Sequence, residues 1–381
     1  MTNYQFKKFT WIEREALGEV MEVLASNNLS GFLATEGVES LGGKEVRRLE
    51  SAWAAFERTS YAISFNSWTS GLEASIESLN LPKGSEVITT PWTMSATTAV
   101  LLNCGLRPRF VDIKIENFNI DVDQVENAIN RNTSAILAVD IFGYPCDSPK
   151  LRDLSDKYSL KLIIDSAQAP LARINGLKPS HYADVSGYSF NRHKHLQCGE
   201  GGMAVTNNLE IYKNLVALRN HAEVSYADAA FDLNGRNLRF GEVEAILIRK
   251  QLEKIEMFVN HRRNAAESLK KNLSDTFLEF AQIDSGVDHD YYIFPMRLPK
   301  DYGAERRKNL AENLTSQGIP GVLEKYVVTH RLKRFEKFVD YRLSNAEFLQ
   351  DQGFFGIYMC GVEWSEESLA HTSETIKRAL T

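Results

Sequence analysis

Residues 185–206 read VSGYSFNRHKHLQCGEGGMAVT, and this stretch decides the predicted fold. Two apolar runs, Val185 to Phe190 and Met203 to Thr206, enclose a polar segment that contains Lys194 and ends in a glycine-rich turn. The runs have the length of buried strands, and the short distance between them predicts a change of strand direction. Lys194 therefore follows a strand end, which is where open α/β sheets bind their ligands.

Strand-like and helix-like runs alternate in the sequence before this stretch. The predicted strands are Ser60 to Phe65, Glu86 to Thr90, Arg109 to Ile113, Ala135 to Phe142 and Lys161 to Asp165. The predicted helices between them are Gly71 to Leu79, Ser95 to Asn103, Val122 to Ile129 and Lys150 to Tyr158. Helices of this length between strands indicate crossover connections. The predicted fold class is therefore α/β, with a mostly parallel central sheet and helices on both faces.

The pattern changes from about Gly241 onward. Apolar residues at helical spacing predict one long amphipathic helix that runs toward Leu273. A separate α+β set follows, with strand Tyr291 to Leu298, helix Ala304 to Gln317 and a terminal helix from Glu366 to Leu380. A chain of 381 residues is long enough for two hydrophobic cores. We predict a large α/β domain over residues 1–245, with the N-terminal segment, and a small α+β domain over residues 246–381.

Composition and charge argue against several classes of protein. With 43% apolar and 25% charged residues the chain is typical of globular proteins. A net charge of −6 with dispersed cations offers no basic surface for nucleic acid. The start, Thr2-Asn3-Tyr4-Gln5, is polar, no apolar run approaches the roughly 18 residues of a membrane helix, and the dispersed cysteines lack zinc-site spacing. We expect a cytoplasmic protein with reduced thiols and no metal, nucleic-acid or membrane partner.

Lys194 has the surroundings of a reactive lysine. A lysine that forms a Schiff base needs a depressed pKa. Three neighbouring cations, Arg192, His193 when protonated, and His195, are predicted to help lower it. The alternative for this segment is a solvated basic loop.

Asp165 ends another predicted strand, and Gln168 follows it closely. A carboxylate at the mouth of a sheet can pair with the protonated ring nitrogen of a cofactor, and Gln168 is predicted to reach a ring hydroxyl. Taken alone, Asp165 is also a common type of helix N-cap. Its occurrence together with Lys194 at a second strand end favours a binding site.

The segment Ser67-Trp68-Thr69-Ser70 follows the first strand and opens a helix. Free backbone N–H groups and the helix dipole bind phosphate at such a position, and the hydroxyls of Thr69 and Ser189 are further donors. A plain capping cluster is the alternative. An amine, a carboxylate and a phosphate cup together point to pyridoxal 5′-phosphate (PLP) as the cofactor.

These motifs together resemble the DegT/DnrJ/EryC1/StrS family, the PLP-dependent sugar aminotransferases of the aspartate aminotransferase fold, fold type I. The resemblance covers nearly the whole chain. The spacing from Ser189 through Lys194 to the sequence GEGG at 199–202 is highly specific. The other shared motifs are GSEVITTP at 84–91, RFVD at 109–112, FGYP at 142–145, IDSAQA at 164–169 and GRNLR at 235–239 ahead of Gln251 and Leu252.

The resemblance implies a role for each candidate residue. Lys194 holds PLP as a Schiff base, Asp165 pairs with the ring nitrogen, and Gln168 contacts the ring oxygen. Ser189 and the backbone of Trp68 and Thr69 hold the phosphate. Asn237 is similar to an asparagine that reaches the phosphate of the neighbouring subunit, which implies a homodimer with composite active sites.

The sequence departs from the family at several positions. Many members have glycine where this chain has Trp68, and an aromatic residue that stacks on the cofactor ring where this chain has Met94. Trp92 and Trp68 are the alternatives for the stacking face, and Trp92 as plain core is a further one. Asn191 replaces a frequent histidine. These departures bear on the substrate more than on the cofactor.

The function that the resemblance implies is transfer of an amino group from an amino acid, L-glutamate as in the family, to a keto-sugar. The cofactor alternates between PLP and its amino form, PMP, and the keto-sugar is expected to be nucleotide-linked, for surface-polysaccharide or secondary-metabolite synthesis. One alternative is a PLP- or PMP-dependent sugar dehydratase, but such relatives carry histidine in place of the lysine. A non-catalytic regulatory or scaffold homologue is another. A nicotinamide dehydrogenase is disfavoured because no GxGxxG follows the first strand.

Overall fold

A computed structural model of the protein describes residues 4–34, 37–223 and 233–381. Of the polar N-terminal stretch, residues 1–3 lie outside these ranges. The described part contains one large sheet of seven strands in the order β1-β8-β7-β5-β4-β2-β3. Its strands are β1 (Tyr61–Phe65), β2 (Glu86–Thr89), β3 (Arg107–Phe110), β4 (Thr133–Val139), β5 (Lys161–Asp165), β7 (Val185–Ser189) and β8 (Gly202–Thr206).

The strand directions confirm the predicted fold class. The pairs β3–β2, β2–β4, β4–β5 and β5–β7 are parallel, whereas β8 runs antiparallel to both β7 and β1. The predicted change of direction between Val185–Ser189 and Gly202–Thr206 is thus confirmed. A short ribbon of β6 (Arg173–Ile174) and β10 (Val287–Asp288) lies apart from this sheet.

Helices cover both faces of the large sheet. One apolar cluster packs α3, α4 and α7 on side chains such as Ile63, Leu137 and Ile163, and another packs α5 and α6 on Ile136 and Leu162. Successive side chains of each strand point to opposite faces of the sheet, so the buried side chains of one strand contribute to two separate cores. The helices of this part are α1 (Arg14–Ser26), α2 (Lys44–Glu57), α3 (Trp68–Ser78), α4 (Ser95–Asn103), α5 (Val122–Ala128), α6 (Ser148–Tyr158), α7 (Leu209–Arg219) and α8 (Glu242–Leu252).

The smaller α+β part is built on a four-stranded antiparallel sheet in the order β12-β13-β11-β9. Its core includes Phe294, Phe355 and Ile376. N-terminal residues join it, because the Phe9 N–H donates to the Gly361 carbonyl at 3.2 Å. Its elements are α9 (Ile255–Asn272), β9 (Glu279–Phe280), β11 (Ile293–Arg297), α10 (Ala304–Ser316), β12 (Val322–Leu323), α11 (Ser344–Phe348), β13 (Phe354–Tyr358) and α12 (Glu366–Leu380).

The prediction of one long helix was wrong, because this segment forms two helices, α8 and α9. Lys254 has non-helical dihedrals, φ −118° and ψ 8°. The break lets α8 pack Ala245 and Ile248 against α2 in the large part, whereas the second half of α9 packs Ala266 in the small core. We therefore propose a domain boundary at residues 253–254, in place of the one near residue 245.

Strand ends differ from the prediction where apolar runs continue beyond the sheet. The run from Ala135 predicts a strand to Phe142, but β4 ends at Val139, and Phe142 adopts φ 59° in a short 3-10 turn. Ile113, predicted within a strand, lies beyond the end of β3 and pairs instead with Ile120. These side chains are buried against the small part, so their apolar character reflects that contact. Among the described helices, none has the length and apolar character needed to cross a bilayer.

Candidate active site

A cavity of about 380 Å³ lies where β5 and β7 end and α3 and α4 begin. Seven of the nine candidate residues from the sequence line it. The side chains that enclose it combine an amine, a carboxylate, hydroxyls and aromatic rings. They include the candidates Trp68, Thr69, Met94, Asp165, Gln168, Ser189 and Lys194, together with Ser67, Thr93, Thr97, Asn191, His193, Glu200 and Tyr292.

Lys194 reaches the cavity from the turn between β7 and β8. Its Nζ lies 4.5 Å from the ring centre of Tyr292, which belongs to the small part. Burial lowers the pKa of Lys194 to about 8, against the attraction of Asp165, which raises it. A pKa near 8 leaves roughly a tenth of the amine neutral and nucleophilic at pH 7, roughly 300-fold more than for an ordinary lysine.

The predicted cause of this depressed pKa was wrong. Arg192 and His193 are exposed, and burial holds the pKa of His195 well below its usual value, so that His195 is neutral. Loss of hydration inside the cavity therefore lowers the pKa of Lys194, and the neighbouring cations in the sequence do not.

Asp165 ends β5 and is buried at the floor of the cavity. Its Oδ1 accepts hydrogen bonds from the Trp68 indole at 2.8 Å and from the Ala167 N–H at 3.2 Å, and its Oδ2 accepts from the Thr97 hydroxyl at 2.9 Å. Burial raises the pKa of Asp165, and these hydrogen bonds and Lys194 oppose the rise. The carboxylate is therefore stabilised by donors on both oxygens and by one cation across the cavity.

Helix α3 begins at the cavity wall, as the sequence predicts. Ser67 is its N-cap and accepts a hydrogen bond from the Ser70 N–H at 3.1 Å. The N–H groups of Trp68 and Thr69 occupy the first turn, where a helix has no internal acceptors for them. Ser189, at the end of β7, lines the same cavity. This corner has the free donors and the dipole of an anion site.

Gln168 faces the cavity but is already held by protein groups. Its Oε1 accepts from the Phe142 N–H at 2.7 Å, and its Nε2 donates to the Tyr326 hydroxyl at 3.3 Å. Tyr326 comes from the small part of the chain. Gln168 thus links the two parts of the chain at the cavity.

Three other candidates lie in different surroundings. Met94 is 60% exposed at the cavity mouth, where an apolar face is available to a planar ligand. Trp92 is fully buried among Phe142, Tyr326 and Phe354, outside the cavity wall. Asn237 is exposed, does not line this cavity and forms a bridge with Asn220.

Comparison with known proteins agrees with this geometry. Residues 25–355 match the DegT/DnrJ/EryC1/StrS aminotransferase family. The chain belongs to this family.

Two relatives and one solved structure show how similar this aminotransferase is to characterised members. It is 31% identical to the GDP-perosamine synthase of Vibrio cholerae over 71% of this chain and 74% of that one. It is 31% identical to the dTDP-3-amino-3,4,6-trideoxy-alpha-D-glucose transaminase of Micromonospora megalomicea subsp. nigra over 79% of each chain. The crystal structure of S. venezuelae DesV in complex with a ketimine intermediate matches with a TM-score of 0.84 and 26% identity, over 96% of this chain and 95% of that one. The protein is a sugar aminotransferase of fold type I that uses PLP and PMP.

The residues of this aminotransferase fit that cofactor. The cavity presents one half-buried amine with a depressed pKa, one buried carboxylate and one helix N-terminus with hydroxyls, which match an aldehyde, a ring nitrogen and a phosphate. No group of side chains in the described ranges has the arrangement of a metal site.

Sequence reasoning missed Thr97 and Tyr292, which line the aminotransferase cavity, and Tyr326, which holds Gln168. Thr97 lies inside a predicted helix, Tyr292 in a predicted strand of the small part, and Tyr326 in a segment without a motif. The hydroxyl of Thr97 and the ring of Tyr292 approach Asp165 and Lys194 only in three dimensions. The helical spacing of Thr93 and Thr97 is the one local signal that places two hydroxyls on the same face.

Proposed function

We propose that this aminotransferase transfers the amino group of L-glutamate to a nucleotide-linked keto-sugar and that Lys194 holds the cofactor. The observation that carries the proposal is the shared cavity of Lys194 and Asp165, an amine of depressed pKa and a buried carboxylate at two adjacent strand ends. The nucleotide-linked sugars in the names of two relatives support the choice of substrate class. Synthesis of sugars for surface polysaccharides or secondary metabolites is the corresponding process.

PLP supplies an aldehyde that reacts with amines and a ring that withdraws electrons from the substrate carbon. Lys194 would hold the cofactor through its neutral amine, and its pKa of about 8 makes part of this amine available near neutral pH. With substrate bound to the cofactor, the free Lys194 amine would move a proton between the substrate carbon and C4′ of the cofactor. Lys194 thus has two roles: it holds the cofactor, and it moves the proton.

Asp165 and the start of α3 orient the reacting partners. A carboxylate that faces the ring nitrogen keeps that nitrogen protonated, because separation of the charges in a buried site is costly. The N–H groups of Trp68 and Thr69, with the Ser189 hydroxyl, bind the phosphate and so fix the ring relative to Lys194. Met94 at the mouth of the cavity would offer the ring an apolar face.

These residues support a sugar dehydratase or a regulatory homologue less well than they support an aminotransferase. A sugar dehydratase of this fold is expected to have histidine where Lys194 stands, and the depressed pKa of Lys194 suits covalent binding. A purely regulatory homologue has no need for a buried carboxylate with three hydrogen-bond donors.

A homodimer is part of the proposal. Asn237 is exposed and does not line the cavity of its own subunit, which supports a role in the cavity of a second copy. Leu17, Met21 and Leu24 expose an apolar face of α1, with 50%, 62% and 46% of each side chain accessible. This face suits a second copy of the chain. All four cysteines are free thiols, which supports the cytoplasmic location.

The test is a coupled assay on the purified protein. We expect PLP addition to give a visible absorbance band that borohydride reduction makes permanent. Glutamate is then expected to convert the bound cofactor to its amino form and to release 2-oxoglutarate, with continued release only in the presence of a nucleotide-linked keto-sugar. Glutamate conversion without turnover on nucleotide-linked substrates, but with turnover on free or phosphorylated sugars, contradicts the substrate class. No borohydride-stable adduct contradicts the role of Lys194.

A further inference from the structure

Trp68 places a large aromatic side chain at the start of α3, directly beside Asp165. Its indole is 5% exposed, and its Nε1 donates to Asp165 Oδ1 at 2.8 Å. The same residue contributes its backbone N–H to the anion corner of the cavity. One position of the sequence therefore contacts both ends of the proposed cofactor site.

The sheet beneath Trp68 leaves space for this indole. A Cβ atom on Gly187 of β7 would lie 1.9 Å from Cη2 of Trp68, and one on Gly202 of β8 would lie 2.5 Å from the Trp68 backbone. Neither glycine has a positive φ. The indole of Trp68, together with the Met203 carbonyl, leaves no space for a side chain at position 187, and the start of α3 leaves none at position 202.

The hydrogen bonds at Asp165 leave room for one more donor. An ionised carboxylate has about four acceptor positions. Trp68 and Ala167 occupy two on Oδ1, and Thr97 occupies one on Oδ2. The remaining position belongs to Oδ2, and Asp165 lines the cavity. The donors thus direct one oxygen of the carboxylate toward whatever the cavity binds.

We propose that Trp68 is a positioning residue for the cofactor, which holds Asp165 Oδ1 through its indole N–H and thereby presents Oδ2 to the ring nitrogen. This inference rests on the proposed function for the identity of the ligand. The hydrogen bond itself belongs to the protein alone. A negative charge on Asp165 is favoured by each donor, and loss of the indole donor shifts the shared proton from the ring nitrogen toward the carboxylate.

The decisive variant is Trp68→Phe, which keeps most of the apolar ring and removes the N–H. We expect the ring nitrogen of isotope-labelled PLP to move from a protonated toward a neutral chemical shift. We also expect kcat to fall about tenfold or more, the effect of one hydrogen bond to a charged group, while the KM for glutamate changes by less than about twofold. Thr97→Val removes the donor to the other oxygen and is expected to change the ring nitrogen in the same direction.

Trp53→Phe is the matched control. Trp53 is fully buried on α2. It lines a separate small void beside Lys194 and Ser189 but not the cavity of Asp165, and its indole nitrogen has no hydrogen-bond partner among the described residues. The same atoms are lost there without loss of a hydrogen bond. We expect an unchanged ring-nitrogen shift and an unchanged KM and kcat in this variant. If Trp68→Phe behaves like Trp53→Phe, Trp68 only fills the space above Gly187, and the proposal is overturned.

A measurement on the cofactor-free protein separates this proposal from the proposed function. The five indoles differ in their acceptors: Trp11 and Trp364 donate to backbone carbonyls, Trp53 and Trp92 have no partner in the described ranges, and Trp68 donates to a carboxylate. With isotope-labelled tryptophan, we expect the resonance that Trp68→Phe removes to be the one that shifts most in Asp165→Asn. If another indole responds instead, the contact is refuted, whether or not PLP binds. If Trp68→Phe does not fold, the Trp68 resonance is identified as the one that remains after Trp→Phe variants at the other four positions.

Discussion

Replacement of Lys194 by methionine is expected to stabilise the cofactor-free protein at neutral pH. The reason is the depressed pKa of Lys194, about 8 against an ordinary value of 10.5. A lysine with a lower pKa in the folded state carries an energetic penalty when it is charged, because folding removes water from the ammonium. Below about pH 8 the amine is charged in both states and the full penalty is present. Above pH 10.5 it is neutral in both states and the penalty is gone.

The size of the effect follows from the two pKa values. The interval between about 8 and 10.5 corresponds to about 3 kcal/mol of lost stability at pH 7. Lys194 is half-buried and the cavity opens to solvent, so screening reduces this value. We therefore expect Lys194→Met to raise the free energy of unfolding by about 2 kcal/mol at pH 7, and the gain to disappear gradually between pH 8 and pH 10.5.

The assay is urea unfolding of the apo-protein at several pH values and a fixed protein concentration, since a dimer makes stability depend on concentration. Lys178→Met is the matched control. Lys178 is also buried, but its Nζ forms an ion pair with buried Glu57 at 2.5 Å. Its removal leaves a buried carboxylate unpaired and is expected to cost about 3–5 kcal/mol. If Lys194→Met is neutral or destabilising at pH 7, or if its gain does not fade at high pH, the amine is not under the proposed strain.

Three further predictions concern the cofactor. The rate of PLP capture by apo-protein is expected to rise with pH and to level off above about pH 8, and a rate that still rises toward pH 10 contradicts the depressed pKa of Lys194. Lys194→Ala is expected to lose the borohydride-stable adduct while its fold stays intact. Asp165→Asn is expected to lower turnover by orders of magnitude with modest loss of PLP, because the ring nitrogen loses its charge partner, and near-normal turnover assigns Asp165 to a structural role. Asn237→Ala is expected to weaken PLP binding by roughly 1.5–3 kcal/mol. In a mixed dimer with Lys194→Ala on the other subunit, one site with full affinity and normal turnover supports a contact across the interface, and two impaired sites refute it.

Much of the fold is readable from local pattern. The alternation of strands and helices from Tyr61 to Asp165 predicts the parallel sheet, and the two short runs around Lys194 predict the reversal between β7 and β8. The apolar pattern fails to predict strand ends where residues are buried by contacts outside the sheet. Ile113 and Phe142 are apolar because the small part covers them, and no local signal distinguishes that contact from a longer strand.

The strand ends that carry the site are also predictable, because the position of Asp165 and Lys194 after apolar runs is a local property of the chain. The direction of each side chain is not. Trp68 is conspicuous in the sequence only as a departure from a frequent glycine, and the indole hydrogen bond to Asp165 depends on space left by Gly187 on another strand. A contact between residues of two different elements is therefore not visible in the sequence before the elements pack together.

The pKa of Lys194 shows why neighbours in sequence are a poor guide to electrostatics. Arg192 and His193 precede it directly, but both are exposed, where water screens their charges. One group that covers the amine comes from far along the chain, since the ring of Tyr292 lies 4.5 Å from Nζ of Lys194. It follows that the reactivity of Lys194 depends on the small part of the chain closing over the end of β7. The pKa of the amine that we propose to bind the cofactor therefore depends on contacts between both parts of the molecule.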